Sequence, residues 1–278
     1  MSGGCAATNG HATVLRPTQY LEDIQGGRQV IGTGPGVALI ILNSPLTDYE
    51  YVKRLYGHAS YVLCADGGAN RLHDLILARS DCTSPDAVLR DMLPDLIHGD
   101  LDSLDDKVRQ RYKSLGVEIS EDPDQYSTDF GKGVKTVLER LPKVRDILIL
   151  GSLGGRVDQG IGLLHELYRE QMVRHAEVRF WLFSESSVSV ILAEGTTTLQ
   201  TPLESGLIKR NIGILPLYGP AVISTKGMEW DVDDWPTEMG GQSCALYCRA
   251  RRGLMMLVTS GNIGMDERAH EQLVTTGL

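Results

Sequence analysis

Tyr61-Val-Leu-Cys-Ala-Asp-Gly-Gly-Ala-Asn-Arg-Leu72 decides the fold. Residues 61–65 form a short apolar run of the kind that parallel strands, buried on both faces, display. Asp66-Gly67-Gly68 then turns the chain. From residue 69 to residue 78 the pattern is helical. A strand, a glycine turn and a helix in such close succession make a βα unit, and an open sheet is built by repeating it.

The same grammar extends in both directions. Upstream, Val37-Ala-Leu-Ile-Ile-Leu42 predicts another buried strand, followed by a helix over residues 48–58. Downstream, residues 79–94, with Ser80-Asp-Cys-Thr-Ser-Pro85, read as a loop insertion. Strands are expected at residues 95–98, 117–120 and 146–150, and helices at residues 104–115, 128–141 and 157–174. This alternation predicts an α/β domain: an open, mostly parallel sheet with helices on both faces. After about residue 184 the helical patterns stop. Short β-like runs recur at residues 187–192, 196–200, 211–217, 221–224, 243–248 and 253–259, which predict a C-terminal all-β sandwich domain. Residues 1–35 are rich in Gly, Ala and Thr and read as a flexible arm. Gly32-Thr-Gly-Pro-Gly36 lacks the Gly-Lys-Ser/Thr that would complete a P-loop. The expected organisation is therefore 1–35, 36–184 and 185–278.

Composition narrows the function. A formal charge of −9 argues against a nucleic-acid binder, whose footprint is basic, but leaves a nucleotide substrate open. The five cysteines are odd in number and lack metal spacing, so they read as reduced thiols. No apolar run approaches membrane-spanning length, and the first residues hold no signal-peptide core. The expected location is cytoplasmic, with no membrane or nucleic-acid partner.

The chemistry-bearing residues fall at the C-terminal ends of the predicted strands, where open α/β sheets bind ligands. Asp66, Gly67 and Gly68 lead into a helix whose first turns carry Arg71; free amides at a helix start make an anion site, or the segment is simply a tight turn. In Gly99-Asp-Leu-Asp-Ser103, an extended backbone would set Asp100 and Asp102 on one face, a pair suited to Mg²⁺ and phosphate, or one of them caps the next helix. Asp129 opens a helix after a capping Ser127 or Thr128 and is a candidate third ligand or a residue favoured by the helix dipole. In Gly154-Gly-Arg-Val-Asp-Gln159, the glycines can cradle phosphate, Arg156 can stabilise charge and Asp158 can take a proton. His98 stands beside the Gly99 corner and is a further candidate for lining the site.

These segments, in this order, resemble the thiamine pyrophosphokinase family in its eukaryotic branch: Ala65-Asp-Gly-Gly-Ala-Asn-Arg71, Gly99-Asp-Leu-Asp-Ser103, Asp124-Gln-Tyr-Ser-Thr-Asp-Phe130 and Gly154-Gly-Arg-Val-Asp-Gln159. The resemblance spans about residues 37–265. It implies Mg-dependent transfer of pyrophosphate from ATP to thiamine, giving thiamine diphosphate and AMP. It implies Mg²⁺ at Asp100, Asp102 and Asp129, and ATP contacts at Asn43, Asp66, Gly67, Gly68, Arg71, Gly99, Asp100, Gly154 and Gly155. Gln125, Arg156, Asp158 and Gln159 would meet thiamine and phosphate. The family is homodimeric, with thiamine at the subunit interface; Trp230, Thr259, Ser260 and Asn262 match that clasp. Gly261 stands where the family usually has a hydroxyl residue, which touches one thiamine contact. Two other readings stay open: a DxD-type nucleotide-sugar transferase or metal phosphohydrolase, and a nucleotide-binding regulator without turnover.

Overall fold

The computed structural model describes residues 13–24, 28, 36–78, 84–216, 219–240, 246–249, 255–261 and 272–277. In chain order the elements begin with β1 (Thr13–Leu15), β2 (Val37–Ile41), α1 (Tyr49–His58), β3 (Tyr61–Ala65), α2 (Gly68–Leu77) and α3 (Pro85–Asp91). They continue with β4 (Leu96–Gly99), α4 (Asp106–Ser114), β5 (Glu118–Glu121), α5 (Asp129–Arg140), β6 (Asp146–Leu150), α6 (Val157–Tyr168) and β7 (Arg179–Phe183). The remainder is β8 (Ser187–Leu192), β9 (Gly195–Gln200), β10 (Asn211–Leu215), β11 (Ala221–Lys226), β12 (Trp235–Thr237), β13 (Leu246–Arg249), β14 (Met255–Gly261) and β15 (Gln272–Gly277).

The chain divides into two compact units, one of Tyr20–Ser189 and one of Met1–Gln19 with Val190–Leu278. In the first, six parallel strands run in the order β7-β6-β2-β3-β4-β5, with the start of β8 antiparallel beside β7. The apolar runs explain the arrangement. Leu39, Ile40, Ile41, Val62, Leu63, Ile147, Leu148 and Ile149 are all fully buried, which requires cover on both faces of the sheet. From β2 the chain steps outward through β3, β4 and β5, then returns to β6 on the other side. The strand order therefore reverses between β2 and β6, the place where such sheets bind ligands at their C-terminal ends.

Two devices fix the helices to that edge. Thr128 caps α5, its hydroxyl accepting from the Gly131 amide at 3.1 Å. Gly68 begins α2 pressed against β2: a Cβ there would lie 2.2 Å from the Ile41 carbonyl oxygen, so only glycine fits. α5 packs across β2, β3 and β4, which sets its N-terminus among their C-terminal ends.

The second unit is all-β. One set of strands runs β1-β9-β14-β11-β12, and β10 lies between β13 and β15, antiparallel to both. The parallel α/β sheet followed by C-terminal antiparallel strands agrees with the expected fold class, while the compact units divide at Val190, inside β8, and at Tyr20.

Several elements depart from expectation. The 79–94 stretch is not all loop: α3 occupies Pro85–Asp91, because proline is compatible with the first turn of a helix and the buried Leu89 and Met92 anchor it. The helix expected to reach residue 174 stops as an α-helix at Tyr168 and continues as a π-helical turn, Arg169–Arg174. Strands β7, β12 and β15 were not anticipated. Thr13–Leu15, expected within the flexible arm, pairs in parallel with Thr197–Leu199 and buries Leu15. No helix among the described residues is long and apolar enough to cross a membrane.

Candidate functional site

Three carboxylates meet at the C-terminal edge of the parallel sheet, past β3 and β4. Asp66 follows β3, Asp100 follows β4 and Asp129 opens α5, and each places an oxygen within 4.8 Å of the other two. Gly99 makes room for the convergence: a Cβ there would stand 2.9 Å from Asp129 Oδ1 and 3.0 Å from Asp66 Cβ.

Asp66 is the deepest member, only 3% exposed, with a left-handed backbone at φ 43°. Its Oδ2 accepts from the Ser103 amide at 3.2 Å, while its Oδ1 is buried and accepts nothing. Burial pushes its carboxyl above the ordinary range; hydrogen bonds from Gly67 and Ser103 oppose this, and the charge of Asp129 reinforces it. An orphaned buried oxygen facing two further carboxylates has the chemistry of a donor set for a hard divalent cation.

Asp100 is held from both sides. Its Oδ1 accepts from the Asp102 amide at 3.3 Å and its Oδ2 from Gln125 Nε2 at 3.2 Å. Asp129 has Lys132 behind it, Nζ to Oδ1 at 3.4 Å, and Lys132 also donates to the Asp122 carbonyl at 3.0 Å. The Lys132 side chain is 2% exposed, so it acts on the carboxylates from beneath and not from the ligand side.

Asp102 stands outside the trio. It is exposed, and its Oδ1 accepts from the Ser103 hydroxyl at 2.9 Å. The same-face expectation assumed an extended segment, but Leu101, between the two aspartates, is left-handed at φ 60° with its side chain buried. That turn breaks the two-residue alternation. The third carboxylate of the cluster is Asp66, for which the family resemblance implied a nucleotide contact.

The other candidates of this unit surround the same edge. Asn43 Oδ1 accepts from Arg71 Nε at 2.8 Å, and a Cβ on Gly67 would strike the Asn43 amide at 2.4 Å. Gly154 and Gly155 are exposed; the Gly154 amide donates to Ser152 Oγ at 3.0 Å, and Gly155 is left-handed at φ 81°. Arg156 and Asp158 pair with each other, Nε to Oδ1 at 3.1 Å and Nη2 to Oδ2 at 2.5 Å. The Arg156 hydrogen bond holds the Asp158 carboxyl below its ordinary range. Gln159 is exposed on the first turn of α6. His98 is buried with Nδ1 3.1 Å from the Ser120 carbonyl, a structural contact.

In the second unit, Trp230 is 65% exposed. Thr259 and Ser260 lie on β14, opposite Ser224 and Ile223 of β11. Asn262 lies outside the described residues.

Three residues of the site were not singled out from sequence. Lys132 shows only as a lysine three positions after Asp129. Glu166, buried on α6, accepts from the Thr128 hydroxyl at 3.2 Å and so buttresses the cap that precedes Asp129; nothing in the sequence signals a contact that distant. Asn70 donates through Nδ2 to the Ser103 carbonyl at 2.7 Å and accepts at Oδ1 from the Asp105 amide at 3.1 Å. It stood inside the quoted motif without a role.

Comparison with known proteins adds independent findings. Residues 52–180 match the family model described as thiamin pyrophosphokinase, catalytic domain, and residues 196–245 match thiamin pyrophosphokinase, vitamin B1 binding domain. Thiamine pyrophosphokinase 1 of Oryza sativa subsp. japonica is 33% identical over 210 residues, covering 73% of this chain and 76% of that protein. Thiamine pyrophosphokinase 1 of Arabidopsis thaliana is 33% identical over 218 residues, covering 75% and 78%. Among solved structures, thiamin pyrophosphokinase from Candida albicans superposes with a TM-score of 0.75 at 21% identity, over 96% of this chain and 93% of that one, a likeness of fold.

Proposed function

The chain belongs to the thiamin pyrophosphokinase family, and on that premise we propose that it transfers the terminal pyrophosphoryl group of ATP to the hydroxyl of thiamine, releasing AMP. The observation that supports this reading most is the convergence of Asp66, Asp100 and Asp129, with one buried carboxylate oxygen left without a donor, beside the glycine turn that starts α2.

Asp66, Asp100 and Asp129 would hold Mg²⁺, with Asp102 exposed on the same loop toward the phosphates. The ion supplies charge neutralisation on the transferring group. The protein's own residues do the rest. The Gly67-Gly68 turn brings the backbone close to the phosphates, the guanidinium of Arg71 binds their oxygens, and Asn43 steers Arg71. The Gly154-Gly155 turn receives the adjoining phosphates. Phosphoryl-type transfer depends chiefly on positioning and charge, so these contacts carry most of the catalysis.

Arg156 and Asp158 exchange partners in this scheme. When the anionic group arrives, Arg156 turns to it, and Asp158 is released to orient the thiamine hydroxyl and accept its proton. Gln125 and Gln159 hydrogen-bond thiamine, and Trp230 offers a flat face to its cationic ring. Thr259, Ser260 and Asn262 complete the vitamin site, which a homodimer would form between subunits. A cytoplasmic setting agrees with this chemistry.

Purified protein is incubated with ATP and Mg²⁺, with and without thiamine, and products are separated by chromatography. AMP that depends on thiamine, matched by equal thiamine diphosphate, is the expected result. ADP, a sugar-nucleotide product or free phosphate, with no thiamine diphosphate, would falsify the assignment.

A further inference from the structure

The Asp100 loop lies beside Asp66 in a strained conformation that its internal contacts, the Asp102 amide on Asp100 and the Ser103 hydroxyl on Asp102, do not fix against α2. Leu101 is left-handed at φ 60°, a region that suits glycine or asparagine better than leucine. Such strain persists only where the surroundings over-determine the backbone. Here the surroundings are few and nameable. The Ser103 amide donates to Asp66, the Ser103 carbonyl accepts from Asn70 Nδ2, and the Asp105 amide donates to Asn70 Oδ1. One amide side chain therefore satisfies a backbone acceptor and a backbone donor two residues apart. Its two ends require that spacing, since neither a carboxylate nor a hydroxyl can both donate and accept across it in this way.

Asn70 sits in the first turns of α2, where asparagine is a poorer helix former than alanine or leucine. A local choice that weakens its own helix points to a gain elsewhere. Its neighbour Arg71 reaches the other way, to Asn43. Successive helical residues project about 100° apart, so the first turns of α2 face two directions at once.

We infer that Asn70 is the positioning residue of the cation site: it pins the 100–105 loop to α2, and through that fixes the separation of the Asp100 and Asp66 carboxylates. This rests on the cation reading given above. Asn70 touches neither ion nor substrate; it acts through Ser103 and Asp105. The consequence is a separation of roles within one motif, in which Asp66 and Asn70 set cation affinity while Arg71 serves the anion.

The test uses Mn²⁺ as probe, titrated into the full-length protein without nucleotide, with free ion followed by electron paramagnetic resonance. Wild type is compared with Asn70→Ala and Asn70→Leu, both better helix formers, with circular dichroism confirming that each is folded. Both variants are expected to bind Mn²⁺ about 10- to 100-fold more weakly, the usual loss when an outer support of a metal site is removed. In the AMP assay the Mg²⁺ concentration for half-maximal rate rises correspondingly, while kcat at saturating Mg²⁺ stays within a few-fold. Folded variants that bind Mn²⁺ as tightly as wild type overturn the inference and leave the cation site standing. A wild-type protein that binds no Mn²⁺ sinks the cation site, and this inference with it.

Discussion

At Asp66 burial and charge conflict. Burial disfavours its charge, Asp129 adds repulsion, and one oxygen has no donor. The sign of the pH effect follows. A carboxyl whose folded pKa is raised imposes no penalty below the ordinary carboxyl range. The penalty grows as pH climbs through the raised value, because the unfolded chain loses its proton first. Asp66→Asn keeps an acceptor for the Ser103 amide and removes the charge. It should raise the Tm of metal-free protein at pH 7, with a smaller difference at pH 4, while abolishing thiamine-dependent AMP release. An unchanged Tm at both pH values would show that the buried charge is harmless. Asp100→Asn and Asp129→Asn should each lower kcat by roughly a hundredfold or more without unfolding the chain, as loss of metal-borne charge stabilisation demands; near-normal rates would refute their role. Asp100 and Asp129 were legible in the sequence because they end a strand and open a helix. Asp66 as their companion was not, since the swap with Asp102 depends on the left-handed turn at Leu101, and a leucine gives no warning of one.

At the scale of elements, the site depends on where α5 starts. Thr128 both caps the Gly131 amide and donates to Glu166, so it joins α5 to α6 immediately before Asp129. Thr128→Ala should cost about 1 kcal/mol of stability in urea unfolding, the typical value of a cap. A loss confined to noise would mean that Glu166 or water takes over the amide. The strands β2, β3 and β6 were readable because unbroken apolar runs of that length, bounded by turn residues, suit strands buried on both faces. α3 was not, since Pro85 after a polar stretch looks like a breaker although the first turn tolerates it. The end of α6 was not readable either: the helical pattern continues through Arg174, and six residues are too short a window to reveal the change from i→i+4 to i→i+5 bonding.

At the scale of the whole molecule, the change of grammar near residue 184 was visible because a 3.6-residue period gives way to short β runs. The return of the N-terminal segment was invisible. β1 pairs with β9, and a pairing between residues so distant leaves no mark on either local pattern. Leu15 is 2% exposed and the neighbouring Thr197 and Thr198 are buried. Leu15→Ala should therefore destabilise the all-β unit by about 2–5 kcal/mol, the range for a buried leucine. Hydrogen exchange at Thr197, Thr198 and Leu199 is the readout; unchanged protection there would mean that β1 is dispensable to its sheet.

That pairing also has a consequence in time. Thr13 lies against Thr197, so the strand made first needs a neighbour made about 180 residues later. At a synthesis rate of roughly 5–20 residues per second, the nascent segment waits on the order of ten to forty seconds before its partner leaves the ribosome. The α/β unit, Tyr20–Ser189, is made within that interval and is complete eight residues before Thr197, so it can form while β1 still lacks its neighbour. The pairing of β1 with β9 thus closes only after the whole α/β unit that separates them in sequence has been made.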